Sequence, residues 1–140
     1  MRFALANIMK SIFTKIIRME ERAHVVWNSN RIIAILDICP INPGHLLVIP
    51  YEEVSDIDDL TDERYHELWR AVKHLRRALQ SAFGAPKVGI AVEGFGVDHA
   101  HIHLVPVYSG NELNPERAKP ASVKDLDLVH KKILAAIQNG

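Results

Sequence analysis

The sequence has almost no cysteine and no excess of charge of either sign, and both shortages exclude classes of protein. Cys39 is the single cysteine, so an internal disulfide is impossible, and a lone thiol suits a reducing compartment such as the cytoplasm. The 17 basic residues are balanced by 17 acidic ones, so the chain lacks the strong field with which proteins hold nucleic acid or an anionic membrane. We therefore expect a cytoplasmic protein that binds neither, in which any phosphate ligand is held by local groups.

Long apolar runs and internal repeats are missing as well. No apolar stretch of the sequence approaches the length of a membrane span. The chain has 140 residues, of which 48% are hydrophobic, so it can bury one core without disulfides and is too short for a second. We expect an N-terminal extension over residues 1–10 and a single domain over residues 11–140.

Five short segments rich in strand-forming residues are separated by turn signals, and two longer segments have helical periodicity. The predicted strands cover residues 25–27, 31–36, 45–49, 87–93 and the stretch that carries histidines at 99, 101 and 103. Thr61 and Ser122 are predicted to cap the two helices, of which the first ends at Gly84 and the second closes the chain. Strands and helices do not alternate, which indicates an α+β fold with a five-stranded antiparallel sheet, a central helix and a C-terminal helix.

The last predicted strand carries three histidines in strict alternation. His99, His101 and His103 are separated by apolar residues, so an extended backbone would point all three imidazoles to one face and the apolar residues to the core. Three interpretations remain open from the residues alone. The face could be solvated, it could bind a metal ion, or it could carry nucleophilic and acid–base chemistry.

Three stretches of the chain resemble, in the right order, the histidine triad (HIT) family. Residues 99–106 fit the alternation of histidine and apolar residues that defines the family, and residues 11–17 and 35–50 match two earlier segments. The resemblance extends over about residues 11–107. It implies a five-stranded antiparallel sheet with two helices, joined with a second copy as a symmetric homodimer.

The same resemblance implies roles for individual residues. His101 would attack the α-phosphate of a nucleotide conjugate and form a covalent nucleotidyl-histidine. His99 and His103 match the residues that orient this nucleophile and contact phosphate, and His45 matches a histidine that lies against them. Asp37 aligns with the residue that holds the ribose hydroxyls, where a carboxylate can accept from two vicinal hydroxyls. The base would be enclosed by Ile12, Phe13, Ile16, Leu36 and Ile38, which the residues alone would assign to the core.

The chain departs from the family at positions that bear on metal and phosphate. Ser11, Thr14 and Glu53 occupy the positions at which some members bind zinc, so we expect no metal ion and no cofactor. Gly96 stands where a hydroxyl would contact phosphate, and Val92 stands where an amide would approach it. Backbone N–H groups of this glycine-containing loop could replace them.

Two functions follow as expectations. The first is a nucleotide hydrolase or nucleotidyl transferase that acts on a phosphoramidate, a dinucleoside polyphosphate or a similar conjugate. The alternative is a nucleotide-binding regulatory module with little turnover. Residues 108–120 have the composition of turns, and we expect them to shape the leaving-group side of the site.

Overall fold

The computed structural model describes residues 10–140. Nearly all of the N-terminal extension predicted for residues 1–10 therefore lies outside the described residues. The boundary at residue 11 stays a prediction.

Five strands form one antiparallel sheet. They are β1 (Val25–Asn28), β2 (Ile32–Leu36), β3 (Leu46–Pro50), β4 (Lys87–Ala91) and β5 (Ile102–Val107). Their order across the sheet is β1-β2-β3-β5-β4, and every neighbouring pair is antiparallel. The predicted fold class is confirmed.

Within residues 10–140, three α-helices accompany the sheet, and two of them begin at the predicted caps. They are α1 (Ile12–Ile17), α2 (Asp62–Phe83) and α3 (Val123–Asn139). The Thr61 hydroxyl accepts from a backbone N–H in the first turn of α2, and the Ser122 hydroxyl does so in α3. Helix α2 ends at Gly84, whose φ of 60° is the left-handed conformation that glycine adopts without strain. Helix α1 has six residues, too few for its sequence to carry a periodic signal.

Both faces of the sheet are covered, which explains why its middle strands are apolar throughout. Every residue of β2 and β3 is buried. Alternate residues of these strands enter two different clusters, as the two-residue period of a strand requires. The cluster under α2 and α3 contains Ile32, Ala34, Leu36, Leu46 and Val48. The cluster on the opposite face contains Phe13 of α1 with Ile33, Ile35, Leu47 and Ile49.

The strand register places one histidine on the α1 face. Leu47 of β3 is opposite both Ile35 of β2 and His103 of β5, and Ala91 of β4 is opposite His103. Residues that are directly opposite share a face of the sheet. These four side chains therefore form one row across the sheet beside α1.

The predicted histidine strand is wrong in its bounds. Strand β5 begins at Ile102, so His99 and His101 precede it. Pairing with β3 starts only at Ile102, and the Ala100 N–H instead donates to the Val54 carbonyl in the loop after β3. The three histidines are thus not displayed on one face of a regular strand, and each has its own environment.

Strand β5 also continues through Pro106, opposite Val88 of β4. Its pairing with β3 stops at Leu104, so the missing N–H of Pro106 leaves no ladder bond unmade on that side. The Pro106 carbonyl, on the same side, accepts from the Asn42 side chain.

Over residues 10–140, no helix is both long enough and apolar enough to cross a membrane. The structure describes one chain, and the symmetric homodimer stays a prediction.

Gly44, next to His45 in the turn that enters β3, provides a test of this packing. Its φ is +93°, and a Cβ there would lie 2.6 Å from Cε2 of Phe83. We expect Gly44→Ala to lower the free energy of unfolding by about 2 kcal/mol, because an L side chain is strained at this φ and Phe83 would have to move. The matched control is Gly110→Ala, where a Cβ meets no heavy atom of residues 10–140 within 4 Å. Urea unfolding measures both variants, and equal stabilities would contradict the expectation.

Candidate active site

A cavity of about 580 Å³ opens on the α1 face of the sheet. Its floor is the row of Ile35, Leu47, His103 and Ala91, and its volume is in the usual range for small-molecule sites. The walls come from α1, from the end of β2 and residues 37–41 after it, from residues 93–97 between β4 and β5, and from residues of the segment 113–118. The cavity thus lies where one face of the sheet meets α1 and three connecting segments.

His101 lies at this cavity with one ring nitrogen already engaged. Its Nδ1 is 2.7 Å from the backbone oxygen of His99. A carbonyl oxygen can only accept, so Nδ1 carries the proton and Nε2 of the neutral ring has a free lone pair. No residue from 10 to 140 hydrogen-bonds Nε2, although the side chain is only 6% exposed and its ring packs edge-on against Phe13. The geometry leaves a buried, unpartnered nitrogen at the edge of a cavity.

His99 lies behind His101 and does not line the cavity. It is fully buried, and its Nε2 is 2.8 Å from the Pro50 carbonyl oxygen, so Nε2 carries the proton and donates. Its Nδ1 then accepts from the Ser11 hydroxyl at 2.6 Å. Burial lowers the pKa of His99, and the Pro50 carbonyl and the Glu53 carboxylate offset only part of that shift. Both ring nitrogens are occupied by protein groups, so this geometry favours an orienting role and leaves none free for phosphate.

A chain of hydrogen bonds fixes the tautomers of His45 and His103. The Ile41 backbone N–H donates to His45 Nδ1 at 3.0 Å, so the proton of neutral His45 is on Nε2. His45 Nε2 is 2.9 Å from His103 Nδ1, which must therefore accept. The proton of His103 is consequently on Nε2, the nitrogen left to donate to a ligand. One backbone amide thus determines the proton positions of two imidazoles.

These two rings stay neutral at physiological pH. Burial lowers the pKa of His45 to about 4, against an opposing effect of Asp37. Burial also lowers the pKa of His103, and the neighbouring His101 adds to that shift. A neutral ring keeps the relay from Ile41 to His103 intact, because a proton on Nδ1 of His45 would displace the Ile41 N–H.

Asp37 lies at the start of the same wall. Its Oδ1 accepts from the Cys39 backbone N–H at 2.9 Å, and its Oδ2 is 3.5 Å from His45 Nε2. Ligand atoms of Asp37, His45 and His103 all lie within 4.8 Å of one another, close enough to hold a metal ion. Histidines that bind metal usually donate their second nitrogen to an acceptor, whereas His45 accepts from Ile41 and keeps its proton on the inner nitrogen. This tautomer suits a hydrogen-bond relay better than a metal site.

Ser11, Thr14 and Glu53, which the resemblance places at possible zinc positions, meet in space around His99. Glu53 Oε1 accepts from the Thr14 hydroxyl at 2.7 Å and from the Ser11 backbone N–H at 2.6 Å. Ser11 in turn contacts His99, so the start of α1 is tied to the loop after β3 and to the histidine cluster. The sequence showed only that zinc ligands are missing at these positions. The structure shows that hydrogen bonds among Ser11, Thr14, Glu53 and His99 take their place.

The structure brings the predicted nucleotide-binding residues together. Ile12, Phe13, Ile16, Leu36, Asp37, Ile38 and Gly96 all line the cavity. Ile38 is 68% exposed and Ile12 is 43% exposed, so the assignment of these two to an ordinary core is wrong. Phe13 is buried in the core cluster on the α1 face, and Leu36 is buried in the cluster on the opposite face, so these two are core residues although they also border the cavity. The exposed isoleucines form an apolar rim with no packing role of their own.

Residues 108–120 contribute to the cavity through Leu113, Pro115 and Ala118, which the sequence did not identify. This segment is fixed by Glu112, whose carboxylate accepts from the backbone N–H groups of Tyr108 and Ser109 and, at 2.7 Å, from the Asn42 side chain. These backbone hydrogen bonds lower the pKa of Glu112 below its usual value.

Asn42 connects this segment to the histidines, because its backbone carbonyl accepts a hydrogen bond from the backbone N–H of His45. Its side-chain oxygen also accepts from Arg117 at 2.9 Å. The wall made by residues 113–118 is thereby anchored to the turn that carries His45.

Comparison with known proteins gives one family. The chain matches the HIT domain over residues 18–110. The AP-4-A phosphorylase of Mycobacterium tuberculosis (strain CDC 1551 / Oshkosh) is 35% identical over 107 residues, which are 71% of this chain and 54% of that protein, so the chain spans about half its length. An uncharacterized HIT-like protein of Methanocaldococcus jannaschii is 33% identical over 121 residues, or 84% of this chain and 92% of the relative.

A solved structure is similar over almost the whole chain. It is a HIT-like protein from Bartonella henselae, described as involved in cell-cycle regulation and crystallised with an unknown ligand. The TM-score is 0.80 at 31% identity, and the match covers 91% of this chain and 96% of that one.

The lowered pKa of His45 predicts how stability depends on pH. The ring titrates near 6.5 when unfolded and at about 4 when folded, so between these values the unfolded chain binds more protons. This contribution to stability is complete above pH 6.5 and is lost as the pH falls towards 4, by an amount on the order of 3 kcal/mol. His45→Gln should remove this part of the slope, measured as the free energy of unfolding against pH. Parallel curves for the two proteins would contradict the assignment.

Proposed function

This chain belongs to the HIT domain family, and we propose that it is a nucleotide hydrolase or nucleotidyl transferase whose nucleophile is His101. The observation that carries the proposal is the hydrogen bond of 2.7 Å from His101 Nδ1 to the His99 carbonyl, which leaves Nε2 as a free lone pair at the cavity. The substrate is a nucleotide conjugate such as a phosphoramidate or a dinucleoside polyphosphate. The name of the AP-4-A phosphorylase relative supports this substrate class.

The proposed reaction has two displacements at the α-phosphorus. In the first, the Nε2 lone pair of His101 forms an N–P bond while the bond from phosphorus to the leaving group breaks, and the leaving group takes that electron pair. In the second, a water oxygen attacks phosphorus, the N–P bond breaks, and its electron pair returns to Nε2. The water proton goes to the solvent and a nucleoside monophosphate is released. Splitting the transfer in this way replaces one difficult step by two easier ones.

His103 would stabilise the charge that develops on the phosphate. Its Nε2–H is available because Nδ1 accepts from His45, which accepts from the Ile41 N–H. A donor aimed at a forming oxyanion in a site that excludes water is among the strongest catalytic contributions. His45 would act through His103 as a positioning residue. No cofactor or metal ion is needed for these steps.

His99 would also be a positioning residue. Its ring is held between the Ser11 hydroxyl and the Pro50 carbonyl, and its own carbonyl holds His101. The nucleophile is therefore oriented by backbone that is itself fixed by a buried side chain. Gly96, at the cavity wall, would let a backbone N–H approach the phosphate where a hydroxyl is missing.

The nucleoside half would occupy the α1 end of the cavity. The second oxygen of Asp37 can accept from the ribose hydroxyls, since the first is engaged with Cys39 N–H. The apolar side chains of Ile12 and Ile38, exposed without a ligand, would cover the faces of the base. The symmetric homodimer and the cytoplasmic location remain proposals that rest on the resemblance and the composition.

The alternative is a nucleotide-binding regulatory module, which the loss of a hydroxyl at Gly96 favours. A turnover screen of adenosine and guanosine phosphoramidates and dinucleoside polyphosphates separates the two functions. Binding without any trapped adduct would favour the module.

The nucleophile is tested by trapping the covalent intermediate. We expect His101→Asn to abolish the nucleotidyl adduct and to reduce the rate by roughly 10⁴-fold or more, because no other histidine of residues 10–140 at the cavity has a free nitrogen lone pair. His103→Ala should still form adduct slowly, with a loss of about 10²- to 10⁴-fold, as is usual for acid–base or positioning groups. The exposed His66 supplies the control His66→Ala. Quenched-flow trapping with a labelled nucleotide and mapping of the modified residue measure these effects, and an adduct on another histidine would disprove the assignment.

The ribose contact is tested at Asp37. Asp37→Ala should weaken ribonucleotide binding by about 1.5 to 3 kcal/mol, the scale of hydrogen bonds to a charged group. A 2′,3′-dideoxynucleotide, which lacks both hydroxyls, should bind wild type and variant about equally. Calorimetric titration measures both, and an equal loss for the two ligands would point to a folding defect.

A further inference from the structure

A second, smaller cleft of about 230 Å³ also reaches His101. It shares His101, Glu93 and Gly94 with the main cavity, and its outer wall carries Asp56 and Asp58. We call this the acidic cleft. Its carboxylates are exposed at the surface, while the His101 side chain at its inner end is 94% buried, with Nε2 free of any partner from residues 10–140.

The charged residues that line the two cavities are mostly acidic. Among the described residues that line either of them, the single Lys or Arg is Arg22. Arg22 directly precedes Ala23, which packs against the cluster of Phe13 and Ile16 at the nucleoside end. Glu93 forms no ion pair with any residue from 10 to 140, and neither does Asp58. Within the part of the chain that the structure describes, no basic side chain therefore lines the acidic cleft.

Glu93 lies close to the reacting groups. Burial lowers the pKa of His103, and the Glu93 carboxylate is among the groups that act in the opposite direction, so its charge reaches the ring proposed to contact phosphate. Glu93 also belongs to both cavities. It is the acidic residue at the junction between the nucleotide site and the acidic cleft.

We propose that Glu93 is a specificity-determining residue, and that the acidic cleft selects nucleotide conjugates whose leaving group is neutral or cationic over those whose leaving group is a polyphosphate. This inference rests on the proposed function and names the substrate class of the same site. A nucleoside di- or triphosphate leaves with several negative charges, which unpaired carboxylates repel. An amine leaving group takes the electron pair of the P–N bond and a proton from the solvent, so it departs without negative charge and the carboxylates attract it once it is protonated.

The test compares two substrates that share one nucleotidyl half. An adenosine phosphoramidate with an aminoalkyl leaving group and a diadenosine polyphosphate are assayed on wild type, Glu93→Gln and Asp58→Asn, in chelator and again with Mg²⁺. Effects on the shared histidines, including any change in the pKa of His103, cancel in the ratio of the two kcat/KM values. Glu63→Gln, which removes an equal charge from an exposed position of α2, is the matched control.

We expect wild type to favour the phosphoramidate in chelator, and Glu93→Gln to shift the kcat/KM ratio towards the polyphosphate by about 10-fold, with a smaller shift in the same direction for Asp58→Asn. Glu63→Gln should leave the ratio unchanged. Added monovalent salt should reduce the preference in wild type, because it screens exposed charges.

A wild type that prefers the polyphosphate, or a Glu93→Gln variant that loses polyphosphate turnover with Mg²⁺, would overturn the inference, since Glu93 would then serve the anionic leaving group through a cation. Both outcomes leave the nucleophile in place. Failure of the proposed function is different, because neither substrate would then be turned over or form an adduct in any of these proteins.

Discussion

The site depends on one kind of interaction, the hydrogen bond between an imidazole nitrogen and a backbone group. The His99 carbonyl fixes the proton of His101, the Pro50 carbonyl fixes that of His99, and the Ile41 N–H fixes that of His45 and through it His103. A neutral imidazole can exist as either tautomer, and only one of the two has its lone pair on the nitrogen that faces the cavity. Backbone groups fix the tautomer, because a backbone N–H can only donate a hydrogen bond and a backbone carbonyl can only accept one.

Burial makes these tautomers persist. Protonation of His45 at Nδ1 would break the hydrogen bond that the Ile41 N–H donates, and protonation of His99 at Nδ1 would end its role as acceptor for the Ser11 hydroxyl. The two-sided sheet and α1 keep His45 and His99 away from water, and this desolvation disfavours the charged forms and lowers the pKa of both rings. The same apolar packing that stabilises the domain therefore also keeps these two rings neutral.

Two polar networks attach the surrounding loops to this cluster. Glu53 ties the start of α1 to the loop after β3 through Ser11 and Thr14, and Glu112 ties the segment after β5 to Asn42 in the turn before His45. Each uses one carboxylate to collect several donors, which suits connections that lack regular secondary structure. The walls of the cavity are thus held by the same elements that position the histidines.

The sequence by itself determined the fold class, the two capped helices and the family, since strand composition, cap residues and the alternation at 99, 101 and 103 are local signals. Through the resemblance to the HIT family, a membership that is confirmed, it also predicted that Asp37 and five apolar residues share one site. The structure places these six residues at one cavity, and their binding roles stay a proposal. The sequence could not separate the three histidines, because a regular strand would have made them equivalent. Only the tertiary structure gave each its partners, by starting β5 at Ile102 and pairing Ala100 with the loop after β3. The contact of Ile41 with His45 depends on how a turn closes. The contact of Glu112 with Asn42 joins residues that are distant in sequence. No local pattern encodes either of them, nor the approach of Glu93 to the histidines.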